Sequence, residues 1–224
     1  MTTDLQREAA AGLTEAAMRR VEEKETGRVR VEDYLTVLAA ATGEAVILAS
    51  GIDIETADMA PGSGLFGDRM NELLTGDTAD VAAVPATTVV GVLVGELVPA
   101  VVPLNAFGSI EELYKRVAAG VGSVAWGTVP LDVPEDNKPR VMPIQVAYEL
   151  RPAVDSAMQS RGLAATDRPL VCALALAAAI RQTAGAIDPR TAIQLSLQVV
   201  CGMAKMMPMS KRAFEAAAKA SPGA

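Results

Sequence analysis

Histidine is absent from this 224-residue chain, and its absence excludes several kinds of catalytic site. Without an imidazole there is no Ser-His-Asp triad, no Cys-His pair and no histidine ligand for zinc or haem. Proton transfer would have to use carboxylates, lysine, tyrosine or cysteine. The sequence therefore points away from many hydrolase and metalloenzyme mechanisms.

Aromatic residues are also scarce, at 3% of the chain, although half of all residues are apolar. The core must therefore be filled by Ala, Val, Leu, Ile and Met, and alanine is the residue that most favours helix. The chain is long enough for one well-buried core. The composition predicts an all-α fold: a single compact domain of about eight helices over residues 1–224, joined by proline-rich irregular connections.

Cysteine and positive charge are limited too. The two cysteines, Cys172 and Cys201, lie in apolar segments, which predicts buried free thiols and a cytoplasmic location. The net charge of −7 is opposite in sign to what a nucleic-acid surface or an anionic membrane surface requires. We therefore expect no nucleic-acid partner. The polar, acidic N-terminus resembles neither a secretion signal nor a transit peptide.

Helix signals divide the chain into segments. Thr3 and Gln6 form a capping-box pattern that starts a helix, so residues 1–26 are interpreted as an N-terminal helix that can act as an arm. Residues 31–50 form a second helical run, apolar on nearly all sides after Tyr34, which Gly43 is expected to break. Four prolines in residues 127–143 predict an irregular hinge or loop.

The last third is predicted to be helical again, at residues 144–161, 168–185, 189–207 and 210–220. Asp188 followed by a proline is a strong signal for the start of the third of these helices.

The most apolar stretch, residues 81–104, is long enough to cross a bilayer. Three prolines and Glu96 interrupt it, and no lysine or arginine flanks it closely, so a membrane-spanning role is disfavoured. We expect a buried helix instead, in which Gly91 and Gly95 allow another helix to approach closely.

Residues 201–210, CGMAKMMPMS, place one cysteine and four methionines close together. Such sulfur ligands suit Cu(I), but Cys201 and Met203 would point in different directions on a helix. Met203 and Met206 would continue an apolar helical stripe, and methionine fills irregular gaps well. Core packing is the favoured interpretation, and no bound transition metal is expected.

Acidic residues are concentrated between positions 53 and 80, a segment that contains seven acids and one arginine. The acids are Asp53, Glu55, Asp58, Asp68, Glu72, Asp77 and Asp80. Carboxylates in this number could bind Mg²⁺ or Ca²⁺, with Asp68 and Glu72 one helical turn apart. The favoured alternative is a solvated segment without a cofactor, in which Asp53, Asp68 and Asp80 cap short helices.

A third group of candidates is Tyr148 with Glu149, Arg151 and Asp155. These side chains could line a polar pocket, or they could form an ordinary surface network.

Two functions follow from these patterns. The apolar runs at residues 35–49, 81–95 and 170–180 exceed what one small core usually needs. This favours a self-associating cytosolic protein, a homo-oligomeric structural, scaffold or adaptor subunit without catalysis that can also bind another protein. The alternative is a small-molecule-binding protein or an enzyme that uses carboxylates, with a divalent cation at residues 53–80.

Overall fold

A computed structural model describes residues 2–120 and 128–220 of the chain. Within these ranges the fold consists of α-helices joined by irregular segments and short 3₁₀ turns, which confirms the predicted all-α class. The nine α-helices are α1 (Asp4–Val21), α2 (Val31–Ala49), α3 (Asp68–Thr75), α4 (Val89–Leu97), α5 (Ile110–Ala119), α6 (Pro143–Gln159), α7 (Arg168–Thr183), α8 (Pro189–Met203) and α9 (Lys211–Ala220).

The central element of the core is α2. Fifteen of its residues are buried, because α1, α6, α7 and α8 all pack around it. A helix that is surrounded in this way needs no polar face, which explains its almost uninterrupted apolar sequence. The helix α8 is the next most buried element, with eleven buried residues, and α7 packs against α1, α2 and α4.

Gly43 lies in the middle of α2 and does not break it, so the predicted interruption is wrong. The glycine instead permits a close approach between α2 and α8. A Cβ at this position would lie 2.5 Å from the Val200 carbonyl oxygen and 2.6 Å from Cβ of Met203. Both distances are shorter than carbon contacts allow, so α8 occupies the space of the missing side chain.

Residues 81–104 do not form one long helix, contrary to the prediction. Only Val89–Leu97 is α-helical, because the prolines on both sides exclude continuation. Gly91 packs against the backbone of Pro85 rather than against another helix, and Gly95 has no neighbour within 4 Å of its Cβ position. Among the described residues, no helix is long and apolar enough to cross a membrane.

The N-terminal helix begins with the predicted capping box. The Thr3 amide donates to Gln6 Oε1 at 2.8 Å, and the Gln6 amide donates to Thr3 Oγ1 at 3.2 Å. The helix ends at Val21, earlier than expected. Its buried face packs against α6 and α7, with Leu13 and Ala17 in the core.

The proline-rich connection before α6 is irregular apart from one 3₁₀ turn at residues 135–137. It is attached to the start of α2 by hydrogen bonds. The Arg140 amide donates to Asp33 Oδ1 at 2.6 Å, and the Arg30 guanidinium donates to the carbonyl oxygens of Asp136 and Lys138 at 2.7 Å. Residue 127, the first of the predicted irregular segment, lies outside the described residues.

Candidate functional site

After α8 the chain turns at residues 204–205 and then pairs with another segment. The Asp188 carboxylate caps α8 as predicted, accepting from the Thr191 amide at 2.9 Å. The helix ends at Met203, however, so the predicted continuation to residue 207 is wrong. Residues 205–207 instead pair with residues 62–65 in an antiparallel arrangement. Its backbone bonds are Gly62 N to Met207 O at 2.8 Å, Leu65 N to Lys205 O at 2.8 Å and Met207 N to Ser63 O at 2.7 Å.

The methionines of this segment pack in the hydrophobic core. Met203, Met206 and Met207 are almost completely buried, although only the first belongs to the helix. The neighbouring thiol of Cys201 is buried as well, and burial raises its pKa to about 12. Burial also raises the pKa of Cys172 to about 12. Both residues are therefore buried free thiols, as predicted, and both stay protonated at neutral pH.

The unusual member of the segment is Lys205. Only 6% of its surface is exposed, in a position where lysine is rarely found without an ionic partner. Its Nζ donates a hydrogen bond to Oδ1 of Asn71 in α3 and lies 5.5 Å from the ring centre of Tyr114 in α5. No carboxylate of the described residues lies within 4.0 Å of this ammonium group.

Burial lowers the pKa of Lys205 below its ordinary value of 10.5. The carboxylates of Asp68 and Asp77 act in the opposite direction without contacting the ammonium group. Desolvation of a charged amine has this effect because the interior stabilises the ion less well than water does. The amine of Lys205 therefore gives up its proton more readily than a lysine at the surface.

A cavity of about 160 Å³ opens onto Lys205. Its lining residues are Phe66, Asn71, Tyr114, Val117, Ala118 and Lys205. Lys205 is among its most buried lining residues, whereas Phe66 is 59% exposed and lies at the mouth. The walls are thus mainly apolar, and the floor carries one cation and one amide.

The hydroxyl group of Tyr114 lies 3.3 Å from Oγ1 of Thr75, at the end of α3. Burial raises the pKa of Tyr114 above its ordinary value, so the phenol remains neutral near pH 7. The cavity is therefore built from α3, α5 and the segment after α8, three parts of the chain that are distant in sequence.

The acids of residues 53–80 have individual structural roles. Asp80 caps a 3₁₀ turn by accepting from the Ala82 amide at 3.0 Å, as predicted. Asp53 accepts from the Glu55 amide at 3.0 Å in a turn but starts no helix. The cap position of α3 is Gly67, so Asp68 lies in the first turn and not at the cap.

The remaining acids in this segment are similarly dispersed. Glu72 pairs with Arg69 at 2.7 Å, and Glu55 accepts from the Lys211 amide at 3.1 Å. Asp58 lines a surface groove beside α9, and Asp77 has the left-handed φ of 59°. In the described part of the chain, no three Asp, Glu or Cys side chains are grouped so that they could hold a metal ion.

A second cleft, of about 440 Å³, contains the predicted group around Tyr148. The ring of Phe214 in α9 stacks on Tyr148 with 4.5 Å between ring centres. The ion pairs here are Glu149 with Arg20, Asp155 with Arg168, and Glu44 with Arg151 at 2.8 Å. These three carboxylates therefore have partners of opposite charge within the chain, whereas the hydrogen-bond partner of the Lys205 ammonium group is a neutral amide.

Comparison with known proteins adds no information about this site. No protein-family model matches the sequence, and no curated protein or solved structure is significantly similar to it.

The sequence contained one signal for the lysine cavity that its interpretation missed. Lys205 is the only charged residue between Arg190 and Lys211, in the middle of an apolar stretch. A charge in that position indicates either the end of an apolar segment or a buried ion. The contributions of Asn71 and Tyr114 had no comparable signal, since nothing in their local sequence shows which distant residue they contact.

Proposed function

We propose that this protein binds a small molecule in the cavity above Lys205. The observation that supports the proposal is a buried ammonium group at the floor of an open cavity, without a carboxylate in contact among the described residues. Isolated buried charges are destabilising, so proteins rarely retain them without a compensating partner or a chemical use. A ligand in the cavity would supply that partner.

The proposal keeps the small-molecule class predicted from the sequence but moves its site. The predicted site used carboxylates at residues 53–80, where the acids cap turns, pair with arginine or lie apart. Binding of Mg²⁺ or Ca²⁺ there stays a hypothesis.

Self-association as a scaffold is a separate proposal. The long apolar run of α2 is buried within the chain, so it no longer supports an interface. Among the described residues, the proposal is supported by the exposed large apolar side chains, namely Leu5, Met59, Phe66 and Met142. A cytoplasmic location is likewise proposed, supported by the two free thiols.

The binding proposal is tested by blocking the cavity. Ala118 lies on its exposed wall, so Ala118→Trp should fill the space without entering the core. We expect wild-type protein to give saturation-transfer NMR signals with members of a panel of small aromatic and aliphatic fragments. Ala118→Trp should abolish them.

The matched control is Ala11→Trp, which places the same side chain at an exposed position of α1 and should leave binding unchanged. The proposal is overturned if no fragment binds the wild type, or if the bound fragments bind equally well to Ala118→Trp.

A further inference from the structure

We infer that the ligand of the Lys205 cavity is a small monocarboxylate with a short apolar or single-ring body. This inference rests on the function proposed above and names the ligand class of the same site. It follows from the charge at the floor, the free donors around it, the chemistry of the walls and the size of the cavity.

The surroundings of the Lys205 ammonium group favour a negatively charged ligand. Among the described residues, the hydrogen-bond partner of this group is the Asn71 amide oxygen and its cation–π neighbour is the Tyr114 ring, both of which stabilise a cation without neutralising it. The nearest acids, Asp68 and Asp77, act only at a distance. A carboxylate on Lys205 would form a charge-assisted hydrogen bond, which is stronger than one between neutral groups.

The Lys205 ammonium group has hydrogen-bond donors left for the oxygens of a carboxylate. An ammonium group has three N–H donors and no acceptor, so the oxygen of the Asn71 amide must face Lys205 and its NH₂ group must face away. One ammonium donor is used by Asn71, and no acceptor among the described residues is bonded to the Asn71 NH₂ group. A carboxylate can accept from the two remaining donors of the ammonium group.

The walls and the volume limit the rest of the ligand. Phe66, Tyr114, Val117 and Ala118 offer aromatic and aliphatic surface. A cavity of about 160 Å³ is below the roughly 300–1,000 Å³ of sites for drug-sized molecules. A benzene ring or a chain of a few carbons is therefore the expected body.

The lining also argues against more highly charged ligands. Lys205 is the only cation among the lining residues, so a second negative charge, as on a phosphate monoester, would lack a partner. A metal cation is disfavoured by the ammonium group itself. A neutral amide or alcohol would leave the buried charge uncompensated.

The decisive experiment compares ligands that differ only in charge. Benzoate and benzamide, and butyrate and butyramide, are titrated into wild-type protein, and binding is followed by NMR chemical shifts and by melting temperature. We expect each carboxylate to bind at least about tenfold more tightly than its amide, because only the carboxylate pairs with the ammonium ion.

Lys205→Met should remove this preference, since methionine has a similar length and no charge. The control is Lys138→Met, at a lysine that pairs with Glu135 and does not line the cavity. It should retain the preference. If Lys205→Met fails to fold, the comparison of acid and amide on the wild type still decides.

Binding of carboxylates should also weaken as the pH rises through the pKa of Lys205, because the neutral amine offers no charge. The other titratable groups around this lysine are Cys201, Tyr114, Asp68 and Asp77. If acids and amides bind the cavity equally well, the inference is wrong while the proposed function stands. If fragments of neither kind bind, the proposed function fails as well.

Discussion

At the scale of single residues, two positions show how contacts between distant segments determine which residue is present. Gly43 has no side chain because α8 fills that space, and Lys205 has its charge buried where apolar neighbours surround it. Gly43 was expected to break a helix, and the sequence analysis did not identify Lys205 as a buried charge. In both cases the reason for the residue lies in contacts with distant parts of the chain.

Gly43→Ala tests the close approach of α2 to α8. Adding a methyl group 2.5 Å from a carbonyl oxygen overpacks the interface, so we expect a loss of about 1–3 kcal/mol in the free energy of unfolding. Denaturant titration measures the loss. The control is Gly12→Ala in α1, where the added Cβ meets nothing within 4 Å. Alanine should stabilise that helix by about 0.5–1 kcal/mol, and a gain at both positions would contradict the packing described here.

At the scale of secondary-structure elements, ion pairs join helices whose apolar faces already pack together. Glu96 at the end of α4 is an example, because it binds Arg7 of α1 at 2.6 Å and Arg181 of α7 at 2.7 Å. The hydrogen bond from Arg7 is the main reason that the pKa of Glu96 lies below its ordinary value of 4.5. One carboxylate thus links three helices.

Glu96→Gln should lower stability at neutral pH and have less effect in acid. Because the pKa is lowered in the folded state, the contribution of this carboxylate is present above pH 4.5 and is lost as the pH falls through the lowered pKa. The arginines are partly exposed, so we expect only about 1 kcal/mol, or roughly 2–4 °C in melting temperature at pH 7.

Thermal unfolding of wild type and variant at pH 7 and pH 3 measures this difference. Glu15→Gln serves as the control, since Glu15 forms only an exposed pair with Arg19 at 3.6 Å. A difference between wild type and Glu96→Gln that is equally large at both pH values would show that the charge of Glu96 is not the cause.

Local signals predicted the helices well where they act within a few residues. The Thr3 capping box and the Asp188 cap are present, and their hydrogen bonds depend only on neighbouring residues. The ends of α1 and α8 were placed too far along the chain. After α8 the apolar stripe continues through Met206 and Met207, but backbone pairing with residues 62–65 holds these residues in another conformation. After α1 the chain is polar and exposed, so no packing extends the helix beyond Val21. The cavity could not be predicted, since it joins residues from three separate segments.

At the scale of the whole molecule, the proposed self-association depends on which apolar side chains lie at the surface. The apolar residues of α2 and α7 that suggested it are covered by neighbouring helices of the same chain. The proposal now depends on the exposed apolar side chains at the surface. They lie on α1, in the segment between α2 and α3 and just before α6.

Light scattering at micromolar concentration is expected to give a mass above the 23.2 kDa of one chain. The exposed apolar side chains would lose contact with water at an interface between copies, which favours association. A mass of one chain that stays constant on dilution would contradict the proposal and leave the binding function unaffected.

The backbone pairing next to Lys205 places a buried residue and an exposed residue at opposite ends of the same cavity. The Leu65 amide holds the Lys205 carbonyl, and the following residue, Phe66, lies at the mouth with most of its ring in solvent. Lys205 is thus held in place by buried neighbours, whereas Phe66 at the entrance is a surface residue. A change in the size of residue 66 should have little effect on the stability of the fold. In the proposed binding site, a substitution at Phe66 can therefore change which acid fits while the interior stays the same.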